Sequence, residues 1–371
     1  MTARPDTLVQ VVDLDALETA GIANVRERAG LIEYLDSLGF TAADMVEAEG
    51  RGRLFGLAGD VLQWSGRPVY SVRTAAEALD VPVDDLAHAW SVLGLSVVDA
   101  ELLALSQADV DALATWVTLR TVAGEDAALG FLRVVGAAMA RLAEASGTMI
   151  RLAQPDVLIT HSQDELTTAR TYRAVAELVP GISALLDSVW RHQITSARTY
   201  FEHVIQDASA SVTCGVGFAD LSGFTTLTQQ LNPTELADLL IEFSGTVSDV
   251  VHADGGRVVK FIGDEVMWVS STPEQLAKVA VDLVEHQRAR DAGMRVRAGL
   301  SYGSVLALGG DYFGNPVNLA ARLVAAAAPG QILASTDVRD ELPDWPAIPQ
   351  EPLILKGFDV PVQAYDLHMS R

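Results

Sequence analysis

Two aspartates, Asp220 and Asp264, constrain this chain more than any other feature, because each is held in a backbone setting that few folds can satisfy. Residues 212–218, Val-Thr-Cys-Gly-Val-Gly-Phe, alternate as a strand does, and Asp220 follows just before the small-residue turn at Ser222 and Gly223 that leads into a helix-like segment. Asp264 sits in a tight Gly263-Asp264 turn between the apolar runs 257–262 and 266–269, the pattern of a β-hairpin. A carboxylate at a strand end and another at a hairpin tip can meet on neighbouring strands. Such a pair is a hard oxygen site suited to Mg²⁺ or Mn²⁺, with phosphate oxygens and water completing the shell.

Charge decides what can approach that site. The chain carries 49 acidic against 26 basic residues, a formal charge of −23, which repels nucleic acid and anionic membrane surfaces. A polyanionic substrate such as ATP therefore needs a local cluster of cations. Lysine is scarce, occurring only as Lys260, Lys278 and Lys356, so each position invites an explanation. With 371 residues, 49% of them hydrophobic, the chain is long enough for two cores. Cys214 is the lone cysteine, which excludes an intramolecular disulfide and points to a reducing cytoplasm. The opening residues lead into an acidic segment rather than an apolar signal, and no run of about 18 apolar residues occurs, so a soluble cytoplasmic protein without a transmembrane segment is expected.

Residues 1–183 read as helical. The run 15–38 has a loose helical period ending at Gly39, and 109–122 and 129–152 are further helices, the last apolar around most of its surface and so expected to be buried inside a helical domain or across a dimer seam. Residues 74–90 have the look of a helix-turn-helix. Between Ser71 and Arg120, however, eight acidic residues face two basic ones, the wrong sign for DNA phosphates, so the pair is read as packing. Residues 184–208 form a joining helix on which His192 and His203 lie eleven positions apart. That spacing is about three turns, so both share one face, and histidine is the side chain that changes charge near neutrality.

From 209 to 371 strands alternate with helices. Asn232 and Pro233 open one helix as N-cap and N1, and Asn315 and Pro316 open another. The order βαββαβ with additions predicts an α+β chain: an N-terminal all-α domain followed by a ferredoxin-like sandwich whose sheet is covered by helices on one face. Residues Asn318 and Arg322 fall at i and i+4 on one helix face. An amide and a guanidinium aimed together suit a ribose and the charge growing on a phosphorus centre. Arg297 and Lys356 remain as spare cations for a triphosphate tail.

These motifs, Phe-x-Asp-Leu-x-Gly-Phe-Thr, Lys-Phe-x-Gly-Asp, Arg-x-Gly-Leu-x-x-Gly, Asp-Tyr-Phe-Gly-x-x-Val-Asn-x-Ala-x-Arg and Leu-Lys-Gly-Phe, occur in that order. Over roughly 209–371 the chain resembles the catalytic domain of class III nucleotidyl cyclases. The resemblance implies a head-to-tail homodimer with two shared active sites. In each, Asp220 and Asp264 of one chain would hold two Mg²⁺ or Mn²⁺ ions, while Asn318 and Arg322 of the other would orient ribose and stabilise the transition state. Arg297 and Lys356 would grip the outer phosphates. The helical half resembles, more loosely, the regulatory halves of soluble actinobacterial adenylate cyclases, which are associated with autoinhibition and with acid or lipid responsiveness.

Base choice has its own chemistry. Adenine presents an acceptor at N1 and a donor at its exocyclic amine, guanine the reverse; lysine only donates and an ionised aspartate only accepts. Lys260 with Asp311 therefore fits ATP, the partner expected here, over GTP. The competing reading is a cyclase-like module that holds nucleotide without turnover. It is disfavoured because the metal aspartates and the Asn318/Arg322 pair are both retained.

Overall fold

The computed structural model describes residues 13–96, 99–153, 164–202, 211–222, 224, 231–287 and 295–368. The chain divides into two compact units, Met1–Arg191 and His192–Arg371. The division falls inside the helix that the sequence assigns to the joint.

The first unit is helical: α1 (Leu14–Thr19), α2 (Ala29–Ser37), α3 (Ala42–Gly50), a 3₁₀ turn (Leu54–Gly56), α4 (Leu57–Gln63), α5 (Val72–Leu79), α6 (Val83–Val92), α7 (Gln107–Ala123), α8 (Glu125–Ala153), α9 (Glu165–Ala176) and α10 (Val179–Glu202), which crosses into the second unit. The single helix expected over 15–38 is two, because Gly21 and Asn24 take positive φ values of 111° and 51° that no α-helix accommodates. The α5–α6 pair is joined through Asp80 in the left-handed region, and α6 buries Leu86 and Ala89 in a core with Trp116. Asp85 on α6 accepts from Arg120 at 3.0 Å. Helix α8 buries Leu129 and Leu132 near its start and leaves Phe131, Met139 and Leu142 exposed in the single chain. A groove of about 1220 Å³ in this unit is lined by Phe40, Trp64 and Trp90 among others.

The second unit contains β1 (Ser211–Ser222), α11 (Pro233–Ala253), β2 (Gly256–Ile262), β3 (Glu265–Ser270), α12 (Pro273–Val284), β4 (Arg295–Leu308), β5 (Asp311–Phe313), α13 (Asn315–Ala326), β6 (Ile332–Ser335), α14 (Thr336–Glu341), β7 (Ala347–Pro349) and β8 (Ala364–Leu367). Its sheet runs β2-β3-β1-β4-β6-β8-β7, with β5 pairing β4. The first four strands in the order 2-3-1-4 are the ferredoxin-like arrangement, and β6 extends it parallel to β4. The N-cap expected at Asn232 is present and is part of a capping box, its side chain accepting from the Glu235 amide at 3.0 Å.

Strand β1 is central, and its alternation records two different neighbours. Val212, Cys214, Val216 and Phe218 pack in one cluster with Met267 and Val269. Ala219 and Leu221 belong to the other cluster, with Trp268 and the helix residues Val251 and Leu276. Gly217 shares that second face because a Cβ there would lie 2.2 Å from the Trp268 ring. Trp268 is wholly buried, a contribution of about 2–3 kcal/mol. The expectation of helices on one face is corrected here: α13 covers the opposite face, placing Ala320 and Val324 against Cys214 and Val216. Burial in that layer pushes the Cys214 thiol up to about 12, so it is a packing residue and not a reactive one. No helix among the described residues is long and apolar enough to cross a membrane.

Candidate active site

The backbone brings the two aspartates to one end of the sheet. In register, Asp220 on β1 stands opposite Glu265 on β3 and opposite Arg297 on β4. Asp264 lies one residue before Glu265, in the turn that Gly263 closes with φ of 67°. Burial, and then the neighbouring Asp220 charge, hold the Asp264 carboxyl above its ordinary range. Glu265 is raised in the same way, by burial first and then by Asp220 and Asp264. Arg297 answers this negative charge. Its Nε donates to Asp220 Oδ2 at 2.8 Å, and its Nη1 donates to the Ala325 and Ala327 carbonyls, each at 3.3 Å. Arg297 is thus the counter-charge of Asp220 in this structure, and it ties β4 to the end of α13.

Crowded, half-buried carboxylates that repel one another suit a divalent cation, which would replace that repulsion with attraction. Among the described residues no group of three or more His, Cys, Asp or Glu side chains is arranged as a metal site. The Asp220 and Asp264 carboxylates could hold a hard cation such as Mg²⁺ or Mn²⁺, which keeps phosphate and water among its ligands. Glu265 was not foreseen as part of this charge cluster. Its signal was available in the hairpin pattern, since the residue after a two-residue turn begins the strand and faces the partner's end.

A second group forms around Lys260 and Asp311. Lys260 on β2 donates to Asp311 Oδ2 on β5, and the Tyr312 amide donates to Asp311 Oδ1 at 2.8 Å. Arg257, also on β2, donates to the Tyr312 hydroxyl. A donor-only cation and an acceptor-only carboxylate are side by side, each about a third exposed, where a base edge could reach both.

Asn318 and Arg322 form the third group, exposed together on α13. Arg322 Nε donates to the Lys356 carbonyl at 3.1 Å, and the exposed Lys356 is thereby anchored to α13 through its backbone. Lys278, the remaining lysine, bonds Asp254 at 2.6 Å and Asp282 at 2.7 Å and is structural. His192 is exposed on α10, and His203 lies outside the described residues.

Comparison with known proteins places these groups in a family. The model of the adenylate and guanylate cyclase catalytic domain matches residues 207–367, a span that holds every catalytic, substrate and metal candidate. An uncharacterized protein of Mycobacterium tuberculosis is 68% identical over 357 residues, covering 96% of this chain and 94% of its own length. An adenylate cyclase of Streptomyces coelicolor is 32% identical over 284 residues, covering 74% of this chain and 71% of its own. A second M. tuberculosis relative, named as a pH-sensitive adenylate cyclase, is 29% identical over 343 residues, covering 90% and 84%. With its aspartate pair, its Lys260–Asp311 pair and its Asn318/Arg322 helix face within the matched domain, this chain belongs to the class III adenylate and guanylate cyclase family.

Proposed function

We propose that the chain is an adenylate cyclase, converting ATP to 3′,5′-cyclic AMP and pyrophosphate as a homodimer. The observation that carries this reading is the Lys260–Asp311 pair, whose donor and acceptor match N1 and the exocyclic amine of adenine. In the reaction the ribose 3′-oxygen bonds to the α-phosphorus, the bond from that phosphorus to the bridging oxygen of the β-phosphate breaks, and the 3′-hydroxyl proton passes to water. Mg²⁺ or Mn²⁺ at Asp220 and Asp264 would lower the pKa of that hydroxyl and neutralise charge on the leaving pyrophosphate. Asn318 orients the ribose, and Arg322, always charged, faces the α-phosphate as negative charge spreads over its oxygens. Lys356 meets the outer phosphates. Arg297 joins it once a cation takes over the neutralisation of Asp220. Exposure of Asn318 and Arg322 on α13 supports their use by the metal-holding aspartates of a second subunit.

The helical unit regulates this site through α10, with His192 and His203 as the acid-responsive groups. The test is cyclic AMP formation from ATP with Mn²⁺ in the full chain, with GTP in parallel, from about pH 5 to pH 8. ATP should be used at least about 10-fold better than GTP, because each mispaired hydrogen-bonding group at a base edge costs about 1–3 kcal/mol. No product from folded dimer at any pH favours the nucleotide-binding module instead. Replacing His192 and His203 by glutamine should flatten the pH profile; an unchanged profile removes them from the regulatory device.

A further inference from the structure

The two residues that read the base stand on strands that are not neighbours. Strand β2 is one edge of the sheet, whereas β5 is a three-residue strand paired to β4. Backbone pairing therefore does not set how Asp311 meets Lys260. Side chains that cross between β2 and β5 do, and there are two such links, Lys260 to Asp311 and Arg257 to Tyr312.

Both links exist because β2 is irregular. Residues three apart on a regular strand point to opposite faces. Here Arg257 pairs with Val269 and Lys260 with Met267, the register shifting between Val258 and Lys260. Val269 and Met267 are two apart and belong to the same buried cluster as Tyr312. The extra residue thus turns Arg257 and Lys260 to the same face, toward β5. Tyr312 is 2% exposed, and the Arg257 guanidinium carbon lies 5.7 Å from its ring centroid, so the cation meets both the hydroxyl and the ring. Tyr312 in turn donates its amide to Asp311 Oδ1 at 2.8 Å, which leaves Oδ2 to Lys260 and the base edge. A half-buried guanidinium is a costly way to fill a core, since its desolvation offsets most of what its contacts contribute. Its use here is geometric.

Resting on the adenine reading above, we propose that Arg257 is a positioning residue for base selection: it clamps Tyr312, and through the Tyr312 amide sets the carboxylate of Asp311 against Lys260 in the orientation that accepts adenine.

The test measures kcat and KM with ATP and with GTP, in the presence of Mn²⁺, for the full-length chain and for Arg257→Gln, Arg257→Lys and Tyr312→Phe. Arg257→Gln should raise KM for ATP by about 3- to 10-fold, the worth of one net hydrogen bond, and lower the ATP-to-GTP ratio of kcat/KM by a similar factor while kcat changes less. Tyr312→Phe keeps the ring and should reproduce the effect, and the double variant should add little to either, because both act through one link. Arg257→Lys, still a donor to the hydroxyl, should recover part of the ratio. If Arg257→Gln fails to fold, Tyr312→Phe decides. An unchanged ratio, or a fall in kcat by the same factor with both nucleotides, reduces Arg257 to a packing residue and overturns the inference. A wild-type chain with no preference for ATP overturns the adenine reading and this inference together, and is told apart by being seen before any variant is compared.

Discussion

Asp220→Asn and Asp264→Asn should each lower cyclic AMP formation by at least about 10³-fold, because several kcal/mol of charge stabilisation depend on the cation that the two carboxylates are proposed to hold. Their effects on the metal-free fold should be opposite in direction. Asp220 is the partner of Arg297, in a pair whose side chains are 18% and 29% exposed, so neutralising it leaves a half-buried guanidinium short of its counter-charge. The unfolding midpoint in chelator should fall. Asp264 is held above its ordinary carboxylate range by burial and by Asp220. A carboxyl raised in this way costs the fold stability as the pH climbs from its unfolded value through its folded one, and the cost is complete above the latter. Asparagine removes the charge, so the midpoint of Asp264→Asn should hold or rise. Adding Mn²⁺ should stabilise the wild type and neither variant. Equal destabilisation of both in chelator would show that Asp264 is paired favourably, against the repulsion described above.

The same variants test whether the site is shared between subunits. Asp220→Asn retains Asn318 and Arg322, and Arg322→Ala retains both aspartates. If each active site draws the aspartates from one chain and the α13 pair from the other, a heterodimer of the two inactive variants contains one intact site. Random mixing then returns about a quarter of wild-type activity, half the dimers being mixed and half their sites whole. A mixture as inactive as its components would place all these residues in one chain.

What could be read from the sequence was mostly what is local. The Asn232-Pro233 cap and the Gly263-Asp264 hairpin announce themselves within a few residues, because the backbone groups they satisfy are their own neighbours. The Lys260–Asp311 pairing was legible through hydrogen-bond chemistry and the resemblance, although the two residues are 51 apart. Long-range placement was not. Gly21 and Asn24 break a run whose apolar spacing looks continuous, and the exposed Phe131 and Met139 on α8 carry the same hydrophobicity as buried residues. The engagement of Arg297 by Asp220 depends on the β1–β4 register, and the turning of Arg257 toward Tyr312 depends on one extra residue in β2. A period-2 pattern does not reveal either, since a shift of one residue changes which side chains meet without changing composition.

Gly299→Ala should cost activity far out of proportion to one methyl group. Gly299 lies on β4 beneath α13, and a Cβ there would stand 2.2 Å from the Val324 amide nitrogen and 2.3 Å from the Ala320 carbonyl oxygen. Both are helix backbone, which cannot rotate aside as the end of a side chain can. Either α13 lifts from the sheet or β4 retreats, and overpacking of this kind costs about 1–3 kcal/mol. If α13 presents Asn318 and Arg322 to the reacting phosphate as proposed, a displacement of about 1 Å should lower kcat by roughly 10²-fold. Asp220 and Asp264 stand at the ends of other elements, so Mn²⁺ should still raise the unfolding midpoint of Gly299→Ala. Retained metal stabilisation with lost turnover would separate helix placement from cation binding, whereas full activity in Gly299→Ala would mean that α13 rests on β4 more loosely than this contact requires.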